Sequence, residues 1–190
     1  DGALDSVPAI VSITIDPIND APEADDQSVS GDEDTDITIT LTGSDVEGSD
    51  LSFSVESQPE DGDLSGTAPN LTYTPDENFY GTDSFTFKVN DGELDSELAT
   101  VSITIISVND IPVADAQTVV TDEDTPITIT LTGSDVESTS LSFAIEIGPA
   151  HGDLTGNVPN MTYTPDADFN GSDSFTFLVN DGMDDSVPAT

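Results

Sequence analysis

Carboxylates are the residues of this sequence best placed to do chemistry, and they come in clusters. Asp32-Glu33-Asp34 and Asp45-Val46-Glu47-Gly48-Ser49-Asp50 flank an alternating run from Asp36 to Thr42, and acids return on both sides of its second copy, at Asp122-Glu123-Asp124 and Asp135-Val136-Glu137. Closely spaced acids on loops suit hard cations such as Ca²⁺, which take roughly six to eight oxygen ligands from carboxylates, backbone carbonyls and water. Other chemistries are poorly served. With no Cys in the chain there is neither a thiol nucleophile nor a Cys-based zinc site. The single His, His151, stands where the other copy has Asp61, which reads as a turn residue and not a catalytic base. No Ser/His/Asp arrangement recurs, and a paired-carboxylate glycosidase site would occur once in a cleft, not copied along an array. The sequence therefore reads as a non-enzyme.

The run between the clusters is what positions them. Ile37, Ile39 and Leu41 alternate with Thr38, Thr40 and Thr42, the period of a strand with one buried face. At roughly 3.3 Å per residue, seven residues span about 23 Å, so the two acidic clusters sit near opposite ends of one domain. They cannot share an ion within it. In a head-to-tail array, however, the lower cluster of one domain faces the upper cluster of the next across the Asn-Asp linker, which makes an interdomain cation site the expected arrangement.

That array is written into the sequence. Shifting the chain by 90 residues aligns Asn19–Thr100 with Asn109–Thr190 without a gap, and 53 of the 82 positions are identical. Residues 1–18 match 91–108, so they read as the last strand and linker of a preceding repeat, followed by repeat 1 (19–108) and repeat 2 (109–190). Short alternating segments are expected around Gln27–Ser30, Asp36–Thr42, Leu51–Glu56, Asp63–Ser65, Asn70–Thr74, Asp83–Val89 and Leu98–Ile105. Seven short strands with no helical period predict an all-β fold, a tandem of seven-stranded antiparallel β-sandwiches. The inward set is Ile37, Ile39, Leu41, Leu51, Phe53, Val55, Leu71, Tyr73, Phe85, Phe87, Val89, Val101, Ile103 and Ile105. Asn90-Asp91-Gly92 lies between two such runs, so Asp91 reads as a turn former. Repeat 2 reads as lacking its final strand, while Ala9–Ile15 reads as an orphan one. A chain boundary that ignores domain edges explains both facts; so does strand addition, with Ala9–Ile15 of one molecule filling the gap of the next, head to tail.

Charge narrows the partners. Against 40 Asp and Glu stand one Lys, Lys88, and no Arg, for a net charge of −39. Such a surface repels phosphate backbones and anionic headgroups, which excludes nucleic acid and membrane binding, and no apolar run is long enough to insert in a bilayer. It also repels itself unless salt screens it or cations neutralise it. With 34% hydrophobic residues in strict alternation, the chain reads as folded all the same. A further reading of the acidity is a solubility adaptation to high salt, with no specific ion. Asn70-Leu71-Thr72, Asn160-Met161-Thr162 and Asn170-Gly171-Ser172 fit the glycosylation pattern but are common by chance in a Ser/Thr-rich chain.

Three stretches together carry a family resemblance: Ser84-Phe-Thr-Phe-Lys-Val-Asn-Asp-Gly92, Ala99-Thr-Val-Ser-Ile-Thr-Ile105 and Asn109-Asp-Ile-Pro112. They resemble the end of a cadherin repeat entering its calcium linker. The whole chain resembles the tandem cadherin-like or bacterial immunoglobulin-like repeats of large secreted adhesins and of some extracellular polysaccharide-acting proteins. The resemblance implies Ca²⁺ at the junctions and an extracellular or cell-surface location. It also implies neighbouring repeats of the same chain as partners, with a glycan or cell-surface ligand for the parent protein. Position by position, Glu33 resembles the cadherin strand-A glutamate, Asn109 and Asp110 the linker pair, and Asp135 and Glu137 the Asp-x-Asp pair of the next repeat. Asn19, Asp20, Asp45 and Glu47 would be half of a site shared with a preceding repeat, and Glu123 half of one shared with a following repeat. The match departs at Pro17 and Ser107, where cadherins place the first linker Asp, and at Ala21 and Ile111, where they place a second Asn. The linker is one residue shorter, and no Asp-Arg-Glu motif is present. The function so implied is a calcium-stiffened stalk; the alternative, a carbohydrate-binding module on a secreted polysaccharide-acting enzyme, has no Trp and few Tyr to work with.

Overall fold

The computed structural model describes Gly2 and residues 7–190. The chain divides into two compact units, residues 1–107 and 108–190. In unit 1 the strands are β1 (Glu23–Ala24), β2 (Gln27–Asp32), β3 (Ile37–Thr40), β4 (Gly43–Ser44), β5 (Ser52–Ser57), β6 (Gly62–Thr67), β7 (Asn70–Pro75), β8 (Gly81–Asn90) and β9 (Ala99–Ile106). They form a four-stranded sheet in the order β2-β9-β8-β5, a three-stranded sheet β3-β7-β6 and the short pair β1-β4. One apolar cluster joins the two larger sheets, with Ile37, Ile39, Leu71 and Tyr73 from one and Phe85, Phe87, Val89, Val101, Ile103 and Ile105 from the other. This is the sandwich that period-two alternation predicts, since a sheet with one apolar face must bury it against another. Leu51, Phe53 and Val55 pack against the cluster half-buried. One ladder departs from the antiparallel rule: β2 runs parallel to β9, from Gln27↔Val101 to Asp32↔Ile106.

Unit 2 holds β10 (Val113–Ala114), β11 (Ile127–Thr130), β12 (Gly133–Ser134), β13 (Ser142–Ile147), β14 (Gly152–Asn157), β15 (Asn160–Pro165) and β16 (Thr176–Asn180). Its sheet β11-β15-β14 reproduces β3-β7-β6, with Ile127↔Tyr163 standing for Ile37↔Tyr73. On the other side only β13-β16 is formed. Residues 117–122, the counterpart of β2, carry no strand, and β16 has five residues where β8 has ten. Only the start of a β9 counterpart is seen: Phe177 and Ala189 exchange backbone hydrogen bonds at 3.0 Å, and Gln117 N–H donates to Thr190 O at 3.0 Å.

The strand expected at Ala9–Ile15 is not formed. Residues 7–22 lie outside any ladder, and Ile10, Val11, Ile13 and Ile15 are between 80% and 91% exposed. The physical reason is in β9, whose matching sequence is held by hydrogen bonds to strands on both sides. Ala9–Ile15 has no such neighbours among the described residues. Alternation specifies a face, but a strand also needs an edge to pair with.

Candidate metal centre

Each unit gathers matching side chains where its N-terminal linker residues meet two loops. In unit 1 the amide of Asn19 donates to Asp91 Oδ2 at 2.8 Å, and Asp20 N–H donates to Glu47 Oε2 at 3.3 Å. In unit 2 the amide of Asn109 donates to Asp181 Oδ2 at 2.9 Å and Asp184 Oδ2 at 3.2 Å, and Asp110 N–H donates to Glu137 Oε2 at 3.0 Å. Asp45 and Asp135 begin the turns that follow β4 and β12. Asp45 Oδ1 accepts Ser49 N–H at 2.8 Å while its carbonyl accepts Gly48 N–H at 3.2 Å, with Gly48 at φ +76°. Ser138 replaces that glycine in unit 2, and there Asp135 Oδ1 takes the N–H groups of Glu137 at 3.1 Å and Ser138 at 2.6 Å.

The second oxygens of these acids are the chemically notable ones. Asp45 Oδ2, Asp135 Oδ2 and Glu137 Oε1 are closed off from solvent and accept no hydrogen bond. A buried carboxylate oxygen without a donor is costly, and a hard cation is one partner that would satisfy it. All the groups gathered are oxygen donors, which fits Ca²⁺ better than a soft or borderline metal. The shell is not closed, however. Among the described residues no group of three or more Asp, Glu, His or Cys side chains converges tightly enough to hold a metal ion. The N–H donors of Asp110, Glu137 and Ser138 hold the acids instead, so each unit presents an open set of ligands.

Two residues of the cluster were legible in the sequence only as turn formers. Asp91 Oδ1 accepts the N–H groups of Glu93 and Leu94, both at 2.7 Å, while its other oxygen takes Asn19. Those amides, Leu94 first, and then Asn19 hold the Asp91 carboxyl below its ordinary value. Asp181 is lowered in the same way by the amides of Asp184 and Met183 and by Asn109. Asp184 adds an acid that unit 1 lacks, Leu94 being its counterpart. The missed signal was the pairing of each linker Asn with the Asn-Asp-Gly turn 71 and 72 residues further on.

Glu33 and Glu123 lie elsewhere. Glu33 N–H donates to Ile106 O at 2.9 Å, which puts it at the exit of β9, whereas Asn90 and Asp91 follow the far end of the β8-β9 ladder. The structure therefore does not bring Glu33 to the Asn19 cluster of its own unit, in keeping with acids at two ends. Alternation along β2 continues one residue beyond it, so Glu33 points inward at 3% exposure while Asp32 and Asp34 point outward. Asp34 sits at φ +56° and accepts Asn78 N–H at 3.0 Å, a turn role. Asp124 repeats that turn with Asp168 N–H at 3.1 Å, but Glu123 is exposed.

A further polar constellation is structural. The Tyr73 hydroxyl donates to Asp83 Oδ2 at 2.9 Å and Asp61 O at 3.1 Å. Burial pushes the Asp83 carboxyl up, but the N–H groups of Glu60, Asp61 and Ser84 and the Tyr73 hydroxyl outweigh it and leave it below its ordinary value. Tyr73 is pushed well above the usual phenol range by burial first and Asp83 second; Tyr163, bonded to Asp173, is pushed up to about 12. Gly62 leaves room for this tyrosine, since a Cβ there would stand 2.6 Å from its ring and from Thr74 O.

Comparison with known proteins places this architecture. The bacterial Ig domain family matches residues 19–104 and again residues 109–190. The integrin beta-like protein A of Dictyostelium discoideum is 30% identical across 88% of the chain, which spans only 11% of that protein's length. Among solved structures, extracellular cadherin domains 3–6 of protocadherin gamma B2 align over 88% of the chain and 46% of their own, with a TM-score of 0.56 at 16% identity. Domains EC1-2 of human mucin-like protocadherin align over 88% of this chain and 94% of theirs, with a TM-score of 0.53 at 17% identity. These last two speak to the fold.

Proposed function

Because the chain belongs to the bacterial Ig domain family through two tandem copies, we propose that its units are extracellular spacer repeats of an adhesin-like protein, not catalysts, and that Ca²⁺ stiffens them. Asn109, Asp110, Asp135 and Glu137 hold the ion in unit 2, and Asn19, Asp20, Asp45 and Glu47 in unit 1. Support comes chiefly from one observation. Asp135 Oδ2 and Glu137 Oε1 are buried without a hydrogen bond in a cluster made only of oxygen donors.

Glu33 is the ligand proposed from the preceding unit. Glu123 has the same role toward a following repeat. When bound, Ca²⁺ supplies positive charge to a chain in which a single Lys stands against 40 acids. The protein's own part is to orient the carboxylates through N–H donors and to exclude water from their second oxygens. An ion that binds only this folded arrangement stabilises it by about 2.7 kcal/mol at a hundredfold excess over Kd. Extracellular modules of this kind bind at roughly 10⁻⁴ to 10⁻³ M, which suits a site outside the cell.

Calcium titration of the chain by calorimetry, beside NaCl at matched ionic strength, tests the reading. We expect saturable binding, a rise in melting temperature that EDTA reverses, and loss of binding by at least about tenfold in the Asp135→Asn/Glu137→Gln double variant. Equal stabilisation by Na⁺ and Ca²⁺ at matched ionic strength would reject it.

A further inference from the structure

The turns at the ends of β8 and β16 are built alike but carry different side chains. Asn90-Asp91-Gly92-Glu93-Leu94-Asp95 becomes Asn180-Asp181-Gly182-Met183-Asp184-Asp185 in unit 2, so an acid stands at 184 where unit 1 has Leu94. The turn itself does not require that acid. Asp181 Oδ1 accepts the N–H groups of Met183 at 2.6 Å and Asp184 at 2.7 Å, as Asp91 Oδ1 accepts those of Glu93 and Leu94. The Asn180 amide donates to Asp185 Oδ1 at 2.9 Å, as Asn90 does to Asp95 at 2.7 Å. Ser186 Oγ takes Val179 N–H at 3.0 Å where Ser96 Oγ takes Val89 N–H at 2.9 Å. The Asp184 side chain enters none of these bonds. Its carboxylate turns instead to the linker, where Oδ2 accepts the Asn109 amide at 3.2 Å.

The same Asn109 nitrogen donates to Asp181 Oδ2 at 2.9 Å, so two carboxylates share one neutral donor. Like charges brought to one donor repel each other, and a divalent cation turns that repulsion into a ligand set. The next residue, Asp110, gives its N–H to Glu137 Oε2 at 3.0 Å. Glu137 Oε1 and Asp135 Oδ2 are the oxygens closed off from solvent without a hydrogen bond. Asn109 and Asp110, consecutive in the chain, thus tie Asp181 and Asp184 to the corner of unit 2 that holds these oxygens.

Resting on the calcium reading of that corner, we propose that Asp184 is an additional Ca²⁺ ligand of unit 2, and that its exchange for Leu94 grades the affinity of the two copies. The affinity of an all-oxygen site rises with the number of charged ligands, and unit 2 has one more to offer at this turn. Repeats that differ at this position load at different calcium concentrations instead of all together.

Calorimetric calcium titration of the whole chain at fixed ionic strength tests this. Asp45→Asn/Glu47→Gln silences unit 1, so that the heat reports unit 2. On that background Asp184→Leu should raise Kd at least ~5-fold, and Asp184→Glu should stay nearer the parent, since ligand charge count sets the affinity. With unit 2 silenced instead by Asp135→Asn/Glu137→Gln, Leu94→Asp should lower the Kd of unit 1. Asp184 and Leu94 are both exposed, and the melting temperature in EDTA should not fall in Asp184→Leu. A fall there would make Asp184 a structural residue, and an unchanged Kd would leave calcium bound without it; either result overturns the proposal. A parent background that binds no calcium would overturn the calcium reading, and this proposal with it.

Discussion

Tyr73 and Tyr163 are the same residue in two settings. Both lie on the middle strand of a three-stranded sheet and donate to an aspartate, yet Tyr73 is 0% exposed and Tyr163 is half-buried. The sheets beneath them match strand for strand. What differs lies across the core, where β9 covers unit 1 and where unit 2 has only Ala189 and Thr190. One strand thus decides the burial of residues on the opposite sheet, the length of β8 against β16, and whether the segment before β3 or β11 forms a ladder at all. Burial on one sheet is thus set by what the other sheet lays over it, and β2 finds its partner 74 residues further on, Gln27 beside Val101.

The sharpest way to test that comparison is to weaken β9 where it exists. Ile103→Ala should cost unit 1 about 2–5 kcal/mol, the usual range for truncating a fully buried isoleucine. Calorimetry should then show the unit 1 transition falling while that of unit 2 stays in place. A shift of both together would mean that the units do not unfold independently.

A smaller effect is expected at the tyrosines. Tyr73→Phe removes a donor to the Asp83 carboxylate and should cost about 1.5–3 kcal/mol, as for a hydrogen bond to a charged group. Tyr163→Phe should cost less, because solvent reaches Tyr163 and can replace the lost donor. Equal losses, measured by denaturant unfolding, would remove burial as the distinction between the units.

The smallest effects are those of pH. Asp83, Asp91, Asp173 and Asp181 are held below the ordinary Asp value of 3.8, so each contributes stability above that value and loses it as pH falls through its folded pKa. Melting temperature should therefore drop below about pH 3.8. At the other extreme the tyrosines are raised from 10.0, so their contribution is complete below pH 10 and is lost above it, through about 12 for Tyr163. Tyr73 is raised further, so the alkaline loss should continue to higher pH in unit 1. Absorbance at the phenolate band, followed with melting, would show both limits.

Much of the sandwich was legible because alternation is local. Each of Ile37, Ile39, Leu71, Phe85, Phe87 and Val101 announces its face by its immediate neighbours, and each is buried as read. Pairing is not local, and there the reading failed. Nothing near Gln27 indicates a parallel partner at Val101, and nothing within Ala9–Ile15 says that its strand needs an edge supplied from elsewhere. The acid clusters divide in the same way. Asp45, Glu47, Asp135 and Glu137 stand out by their spacing. Glu33 and Asp34 are neighbours in an acidic triplet, and only the continued alternation of β2 tells the buried one from the turn former. Asp91 and Asp181 were hidden because one oxygen does the work of a turn while the other accepts the linker asparagine.

The parallel ladder between β2 and β9 has a mechanical consequence. Tension applied through the two ends of unit 1 pulls β2 from its N-terminal end and β9 from its C-terminal end, so two adjacent strands are dragged lengthwise past each other. All six residue pairs from Gln27↔Val101 to Asp32↔Ile106 then share the load at once and cannot be peeled open one after another. Along this direction the seam between β2 and β9 resists as a clasp.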